Sequence, residues 1–351
     1  MDGKTHRVPV EGDRRGRLSG TYIGHLDELP AGYIHNFKTG EEIRWKAARE
    51  YPALAPAERE RMRARVAAEQ TARESARHRR EMAVSRIAVA VWNRARPVHA
   101  HPYLTRKGVS AHGLRQDRKG DLLVPMRDAD GRLWGLQTID AEGKKLFMRG
   151  GRKQGQHAVL GSPGPGEPVV IAEGFATAAT LRDITGFAVI AAFDSGNLLD
   201  VARAVRERDP VRRIVIAADN DHHLPRLAVP LPNVGMEKAT AAAEAVGGVV
   251  LPPRFTAADT GRDWNDYAAQ HGREAMRAIA QAELRPHGIE LPPLRAAASM
   301  QQASVTQADR DAARQRLQVS PRTVSRQATT QAAARDAARQ SSRQRPPRPT
   351  P

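Results

Sequence analysis

Residues 212–223 read RRIVIAADNDHH. Ile214 to Ala218 form an unbroken apolar run of the kind a strand buried on both faces requires, and the run ends in Asp219 and Asp221, one residue apart. Side chains two apart on an extended chain point the same way, roughly 6–7 Å from each other at about 3.3 Å of rise per residue. Two carboxylates held so close repel unless positive charge lies between them. The rest of the chain has to supply the sheet and the charge.

Outward from this stretch the texture is regularly α/β. PVVIAE (168–173), FAVIAAF (187–193) and GGVVLPP (247–253) read as further strands. Between them FATAATLRDIT, NLLDVARAVRERD and MEKATAAAEAVG carry helical periodicity. Apolar strands separated by amphipathic helices predict a mostly parallel sheet covered on both faces. In such sheets ligands bind beyond the carboxyl ends of the strands. Glu173 closes one strand there, Asp219 and Asp221 close another, and Asp263 and Asp266 follow the last through a loop, in GRDWNDYAAQHG (261–272). Acids that open a helix also serve as N-terminal caps, so for Asp263 and Asp266 both readings stand at this point. Asp194, in AAFDSGN, is open in the same way between cap and auxiliary acid. An oxygen-only donor set suits Mg²⁺ or Mn²⁺. Such ions, paired about 3.5–4 Å apart, clamp the attacking and leaving oxygens of phosphoryl transfer.

Before this α/β region, which spans 166–287, the sequence predicts a small β-rich module over 1–50, a charged helical segment over 51–97 and a β meander over 98–161. The module alternates around Tyr22–Leu26 and Gly32–Phe37, with turns at Pro30 and Thr39-Gly40. From Ala55 to Arg96 there is no glycine, and mixed charge implies one long helix or two, solvated for much of their length. The meander's turns fall at Asp130-Gly131 and Glu142-Gly143, and Pro125 inside its first run predicts an edge or a bulge. SPGPGEP (162–168) reads as a linker. Residues 296–351 form an Arg/Gln/Ala-rich tail; from Gln307 onward it has ten Arg against three Asp and too little apolar surface to fold alone, so it is read as disordered.

Composition narrows the partners. The chain has 351 residues and a formal charge of +17, an excess that favours polyanions. No apolar run approaches the roughly 18 residues of a membrane span, and the N-terminus has no secretory h-region. With no cysteine, disulfides and Cys-based zinc sites are excluded.

The order IAEG, AADND, DWND resembles the TOPRIM domain shared by bacterial primases, topoisomerases and some nucleases. YLTRKGVSAHGL, then DLLVPMRDADGRLWGLQTID, KKLFMRG and VVIAEGFATAATL, resembles the order of elements in DnaG-like primase cores. GTYIGHLDELPAGYIHNFKTGEEIRWKA together with AAFDSGNLLDVARAV is similar to plasmid-encoded TraC-type primases of conjugation. The resemblance covers roughly 5–285 and implies a TOPRIM, Rossmann-like α/β fold. It implies metal-dependent primer synthesis on single-stranded DNA from nucleoside triphosphates. Glu173, Asp219 and Asp221 would carry catalysis, Glu173 as the acid or metal-organising carboxylate and Asp219 and Asp221 holding Mg²⁺ or Mn²⁺, with Asp263 and Asp266 assisting. Gly174 would let the chain turn under substrate, and Lys144, Lys145, Arg149, Arg152, Lys153 and Lys238 would hold template or nucleotide phosphates. Phe147 is a candidate to stack on a base, Trp134 a core residue, and one of His222 and His223 a substrate contact.

Two departures stand out. The zinc ribbon of replicative primases has no cysteine here, so no zinc is expected. Thr177 stands where those enzymes often place an Asp four residues after the motif Glu. The same acids would serve a TOPRIM nuclease, and a non-catalytic single-stranded-DNA-binding protein carried with transferred DNA is the reading from another class. A cytoplasmic protein, in the company of replication or conjugation proteins and with no membrane partner, is the expectation that follows.

Overall fold

The structure is a computed structural model that describes residues 3–26, 30–47, 55–228 and 230–293. The basic tail expected over 296–351 lies outside the described residues.

Four short strands open the chain: β1 (His6–Val8), β2 (Gly20–His25), β3 (Ala31–Asn36) and β4 (Glu42–Lys46). They pair in sequence order, each antiparallel to the next. The charged segment forms one helix, α1 (Pro56–Arg94). Pro56 sits at its start, where a missing N–H costs nothing, and Glu58 accepts from the Ala55 amide at 3.1 Å. Most of α1 is solvated; its final third turns Val84, Ser85 and Ala88 inward.

There it meets a five-stranded antiparallel sheet, β5 (Arg96–Pro97), β6 (Arg115–Gln116), β7 (Leu122–Arg127), β8 (Leu133–Ile139) and β9 (Lys145–Phe147), ordered β5-β6-β7-β8-β9. A short helix, α2 (Pro102–Lys107), lies between β5 and β6. Strand β7 alternates between two cores. Leu123 packs with Ala88, Leu133 and Leu136 beneath α1, whereas Leu122, Val124 and Met126 join the core of the following domain. Pro125 is inside the sheet but beyond the reach of short β6, which pairs only with Leu122 and Leu123. The ladder slips immediately after it, between Met126 and Arg127, so the missing N–H costs no ladder bond.

The remaining strands are β10 (Ala158–Leu160), β11 (Val169–Ala172), β12 (Ala188–Ala191), β13 (Ile214–Ala217) and β14 (Val249–Leu251), in the order β10-β12-β11-β13-β14. All are parallel except β10, an antiparallel edge strand on β12 that the sequence reading did not contain. Helices α3 (Phe175–Thr185), α4 (Leu198–Arg208), α5 (Val234–Val246), α6 (Trp264–His271) and α7 (Arg273–Leu284) cover it. The apolar strands are explained by this two-sided burial. Val170, Ala172, Val215 and Ala217 face a core with Phe175, Trp264, Met276 and Leu284. Their neighbours Val169, Ile171, Ile214 and Ile216 face the other, with Leu198, Val201, Ala239 and Ala243. Each fully buried aliphatic side chain contributes about 1.5–3 kcal/mol, and this is the main force holding the strand ends in register.

Candidate active site

Register places the acids. Ala172 is level with Ala191 on one side and Ala217 on the other, and Ala217 is level with Leu251. The residues just past these points therefore emerge at one edge of the sheet: Glu173 after β11, Asp194 after β12, Asp219 and Asp221 after β13. Helix α5 backs onto the D-x-D turn so closely that a Cβ on Gly235 would lie 2.5 Å from the Asp219 carbonyl oxygen. Asn220 braces the turn from between the two acids: its amide donates to the Arg262 carbonyl at 2.6 Å, and its side chain donates to the Pro253 carbonyl at 3.0 Å. Asn233 completes the brace, donating to the Asn220 side chain at 2.8 Å and accepting from the Asp221 amide at 3.1 Å.

Asp263 reaches the same edge while also capping α6, accepting from the Asp266 amide at 2.8 Å. The Thr177 side chain acts on Asp263, working against the rise of its carboxyl, so the residue standing in place of an acid eases one instead. Asn265, buried in the first turn of α6, locks that helix to α3 and to the end of α2, donating to Thr180 Oγ1 at 2.8 Å and to the Lys107 carbonyl at 2.7 Å.

Burial and mutual repulsion dominate the electrostatics. Burial, then the charges of Asp194, Asp221 and Asp263, pushes the Glu173 carboxyl up to about 7. Burial, then Glu173, Asp263 and Asp221, pushes Asp219 up to about 9. Asp263 is raised as well, by burial and by Asp266. Cations answer from elsewhere in the fold. Lys145 of β9 opposes the rise at Asp219, and its ammonium lies 3.7 Å from the point a Cβ on Gly174 would occupy. Although the Lys145 side chain keeps much of its surface in solvent, the crowding around it lowers its pKa, against the pull of Asp263 and Asp219. Lys153 is ion-paired with Asp194, and Arg262 stands 3.4 Å from Asp221.

These charges leave oxygens without hydrogen-bond partners. Glu173 Oε1 and Asp219 Oδ1 are buried and accept from no donor, whereas Asp194 Oδ2 and Asp221 Oδ1 meet only the Lys153 and Arg262 cations. Orphaned hard oxygen donors of this kind fit a hard divalent cation such as Mg²⁺ or Mn²⁺. As the side chains stand, no three His, Asp or Glu among the described residues form a closed ligand set. The acids share one electrostatic field rather than a finished coordination sphere.

Of the residues singled out in the sequence, Glu173, Asp219, Asp221, Asp263 and Lys145 meet in this field, and Lys153 joins through Asp194. Asp266 turns toward the surface, 3.5 Å from Lys107, and acts on the field only through Asp263. Lys144, Arg149 and Lys238 are exposed and are not among the charges that shift the carboxylates. Arg152 lies over the Trp134 ring, 5.2 Å from its centroid. Trp134 is buried, as expected, with its Nε1 donating to Asp128 at 2.6 Å. Gly174 has an extended backbone at φ −101°, which any residue could adopt; its use is the open space beside Lys145 at the start of α3, not a tight turn. Phe147 is partly exposed and meets Phe193 edge-on. His222 stacks on Phe255 at 5.2 Å, both ring nitrogens unpartnered.

Asp194 is the acid whose weight the sequence left open. Its side chain makes no cap hydrogen bond, and among the like charges it acts most strongly on Glu173. The residue before it, Phe193, holds φ 76°, a left-handed conformation rare for a bulky residue and found where structure enforces it for function. Lys107 and Arg262 carried no signal in the sequence, because both come from loops and helix ends far from the motifs they serve.

Residues 168–274 match the family described as Toprim domain. Two curated Escherichia coli proteins, each named DNA primase TraC, are similar. One is 42% identical over 261 residues, covering 73% of this chain and 24% of the relative. The other is 41% identical over 266 residues, covering 74% and 18%. The chain thus spans about a quarter or less of the curated relatives it matches. Among solved structures, the primase fragment of the bacteriophage T7 primase-helicase protein is 15% identical at a TM-score of 0.39, over 53% of this chain and 75% of that one. The DnaG primase catalytic domain bound to ssDNA is 14% identical at a TM-score of 0.38, over 66% and 87%. Residues 168–274, which hold the strand-end acids, are thus a Toprim domain, and most of the chain is similar to a part of the TraC primases.

Proposed function

We propose that the chain synthesises short primers on single-stranded DNA by nucleotidyl transfer, in a plasmid- or conjugation-associated setting. The observation that carries this reading is the gathering of Glu173, Asp219 and Asp221 at one sheet edge, with unpartnered oxygens on Glu173 and Asp219. A 3′-hydroxyl attacks the α-phosphorus of a nucleoside triphosphate, the new P–O bond forms, and the bond to pyrophosphate breaks. Glu173 Oε1, with a carboxyl poised near neutrality, accepts the hydroxyl proton. Asp219 and Asp221, with Asp263 behind them, would hold Mg²⁺ or Mn²⁺, which would supply charge neutralisation for the developing oxyanions. Lys145, at the N-terminus of α3, binds the phosphate chain where the helix end also favours an anion. Lys153 and the exposed Lys144, Arg149 and Arg152 guide the polyanionic backbone, a salt-sensitive interaction.

No helix among the described residues is long and apolar enough to cross a membrane. We place the reaction in the cytoplasm, with replication or conjugation proteins as partners and with passage alongside transferred DNA into a recipient cell.

The test is incubation with single-stranded DNA, labelled ribonucleotides and Mg²⁺, beside Asp219→Ala and Glu173→Ala. Short labelled oligomers that vanish in both variants support primer synthesis. Shortened DNA means a nuclease, retention of DNA without product means a binding module, and equal product from all three proteins removes the proposed chemistry.

A further inference from the structure

The N-terminal sheet has two unlike faces. Directly paired residues share a face, so Arg7, Thr21, Tyr33, His35, Glu42 and Arg44 lie together on one of them. Three rings, Tyr33, His35 and Phe37, run along that face at alternate positions of β3 and its extension. Their centroids are 6.2 Å apart for the first pair and 4.2 Å for the second. A guanidinium closes each end of the row: Arg44 stands 5.7 Å from the Tyr33 centroid and Arg7 stands 4.3 Å from that of Phe37. Lys46, paired with Ala31, adds a third cation. The single acid among these paired positions, Glu42, stands 3.9 Å from both His35 and Arg44. On the opposite face no paired strand position carries Lys or Arg; it presents Tyr22, Ile34, Ile43 and Trp45.

None of the three apolar cores of the described residues includes a residue of this sheet. Phe37 is 49% exposed, although a sheet of this size ordinarily buries one face for stability. Tyr33 and His35 are half-buried, so burial in the protein accounts for the row only in part, and Phe37 keeps its ring in solvent.

We infer that the Tyr33–His35–Phe37 face is a stacking platform for single-stranded nucleic acid, separate from the acidic edge. Aromatic rings on an open sheet stack unpaired bases without regard to sequence. Guanidinium planes extend the stacked surface and meet the phosphates. A lipid or apolar protein surface would match the opposite face, which lacks this cationic frame. The platform gives a chain with no cysteine for a zinc ribbon a second hold on its template.

The experiment uses the full chain and a thymidine 20-mer carrying 5-iodouracil. In the wild type, photo-crosslinks map to the peptide that holds Tyr33 and Phe37. The Tyr33→Leu/Phe37→Leu variant, which keeps apolar bulk, binds the oligonucleotide at least about tenfold more weakly. Arg7→Gln/Arg44→Gln lowers the slope of log affinity against log salt by about 1.4. Crosslinks confined to other regions, or unchanged affinity and slope, overturn the platform. So does a ring variant that loses binding to phosphatidylserine vesicles while holding DNA as before. Primer synthesis at saturating template is read separately: its absence from a wild type that still crosslinks through this face defeats the catalytic reading alone.

Discussion

The carbonyl oxygen of Asp219 lies against Gly235 of α5, 2.5 Å from where a Cβ would stand. The obstacle is backbone, which cannot rotate aside, so a methyl group there moves either the helix or the D-x-D turn. Packing without a side chain is what allows α5 to press on the acids and hold their spacing.

Gly235→Ala is accordingly expected to lose about 1–3 kcal/mol to overpacking, offset in part by the better helix propensity of alanine, worth up to about 1 kcal/mol. Urea unfolding reads the net change, and primer synthesis should fall by more than tenfold as Asp219 shifts. A variant as active and as stable as the wild type would show that the close approach is dispensable.

The raised carboxyls make stability depend on pH in a stated direction. Asp219 titrates near 9 when folded, against an ordinary value of 3.8, so between those limits the folded state holds a proton that the unfolded state has lost. Stability therefore falls as pH rises across that window. Glu173 adds the same sign from 4.5 up to about 7. In EDTA, the melting temperature should drop between pH 5 and pH 8. Asp219→Asn should flatten the drop and melt above the wild type at pH 8 while making no primers. A wild-type profile that climbs over this range would contradict the buried repulsion.

Lys145 comes from the meander yet answers charges on the other sheet. Lys145→Met removes the cation that opposes the rise at Asp219 and that faces the start of α3. The KM for nucleoside triphosphate should increase at least about tenfold, since a charge-assisted phosphate contact contributes roughly 1.5–3 kcal/mol. Steady-state primer synthesis at varied nucleotide separates this from a general loss of fold; a change confined to kcat would assign Lys145 another role.

Asn265 joins three helices through one amide. Replacing it with alanine strands the buried Thr180 hydroxyl and the Lys107 carbonyl, at about 1–3 kcal/mol for buried groups left unpaired. Because α6 also carries Asp263, activity should fall together with the urea midpoint. A midpoint unchanged within error would mean that water or a neighbour replaces both bonds.

Much of this fold is legible in the sequence, for identifiable reasons. The runs at Val169–Ala172, Ala188–Ala191 and Ile214–Ala217 are apolar at every position because alternate side chains enter two cores. That pattern implies a sheet with helices on both sides, and such a sheet gathers the residues after its strands at one edge. Glu173, Asp219 and Asp221 could be named on that ground. Strand β10 was not legible: three residues without alternation become a strand only by pairing with β12. Asp194 stayed open between cap and auxiliary acid because the left-handed turn at Phe193 that precedes it leaves no mark in residue type.

By itself the sequence determined the apolar strands and amphipathic helices of the α/β region, which residues are acids at strand ends, and that excess positive charge seeks a polyanion. These follow from local periodicity and composition, which act over a few residues. Tertiary structure alone decided that Lys145, Lys153 and Arg262 face those acids, that Thr177 acts on Asp263, and that a row of rings lies along the first sheet with Phe37 in solvent. Such relations depend on distances between residues far apart in the chain, and only packing of the completed cores sets those distances.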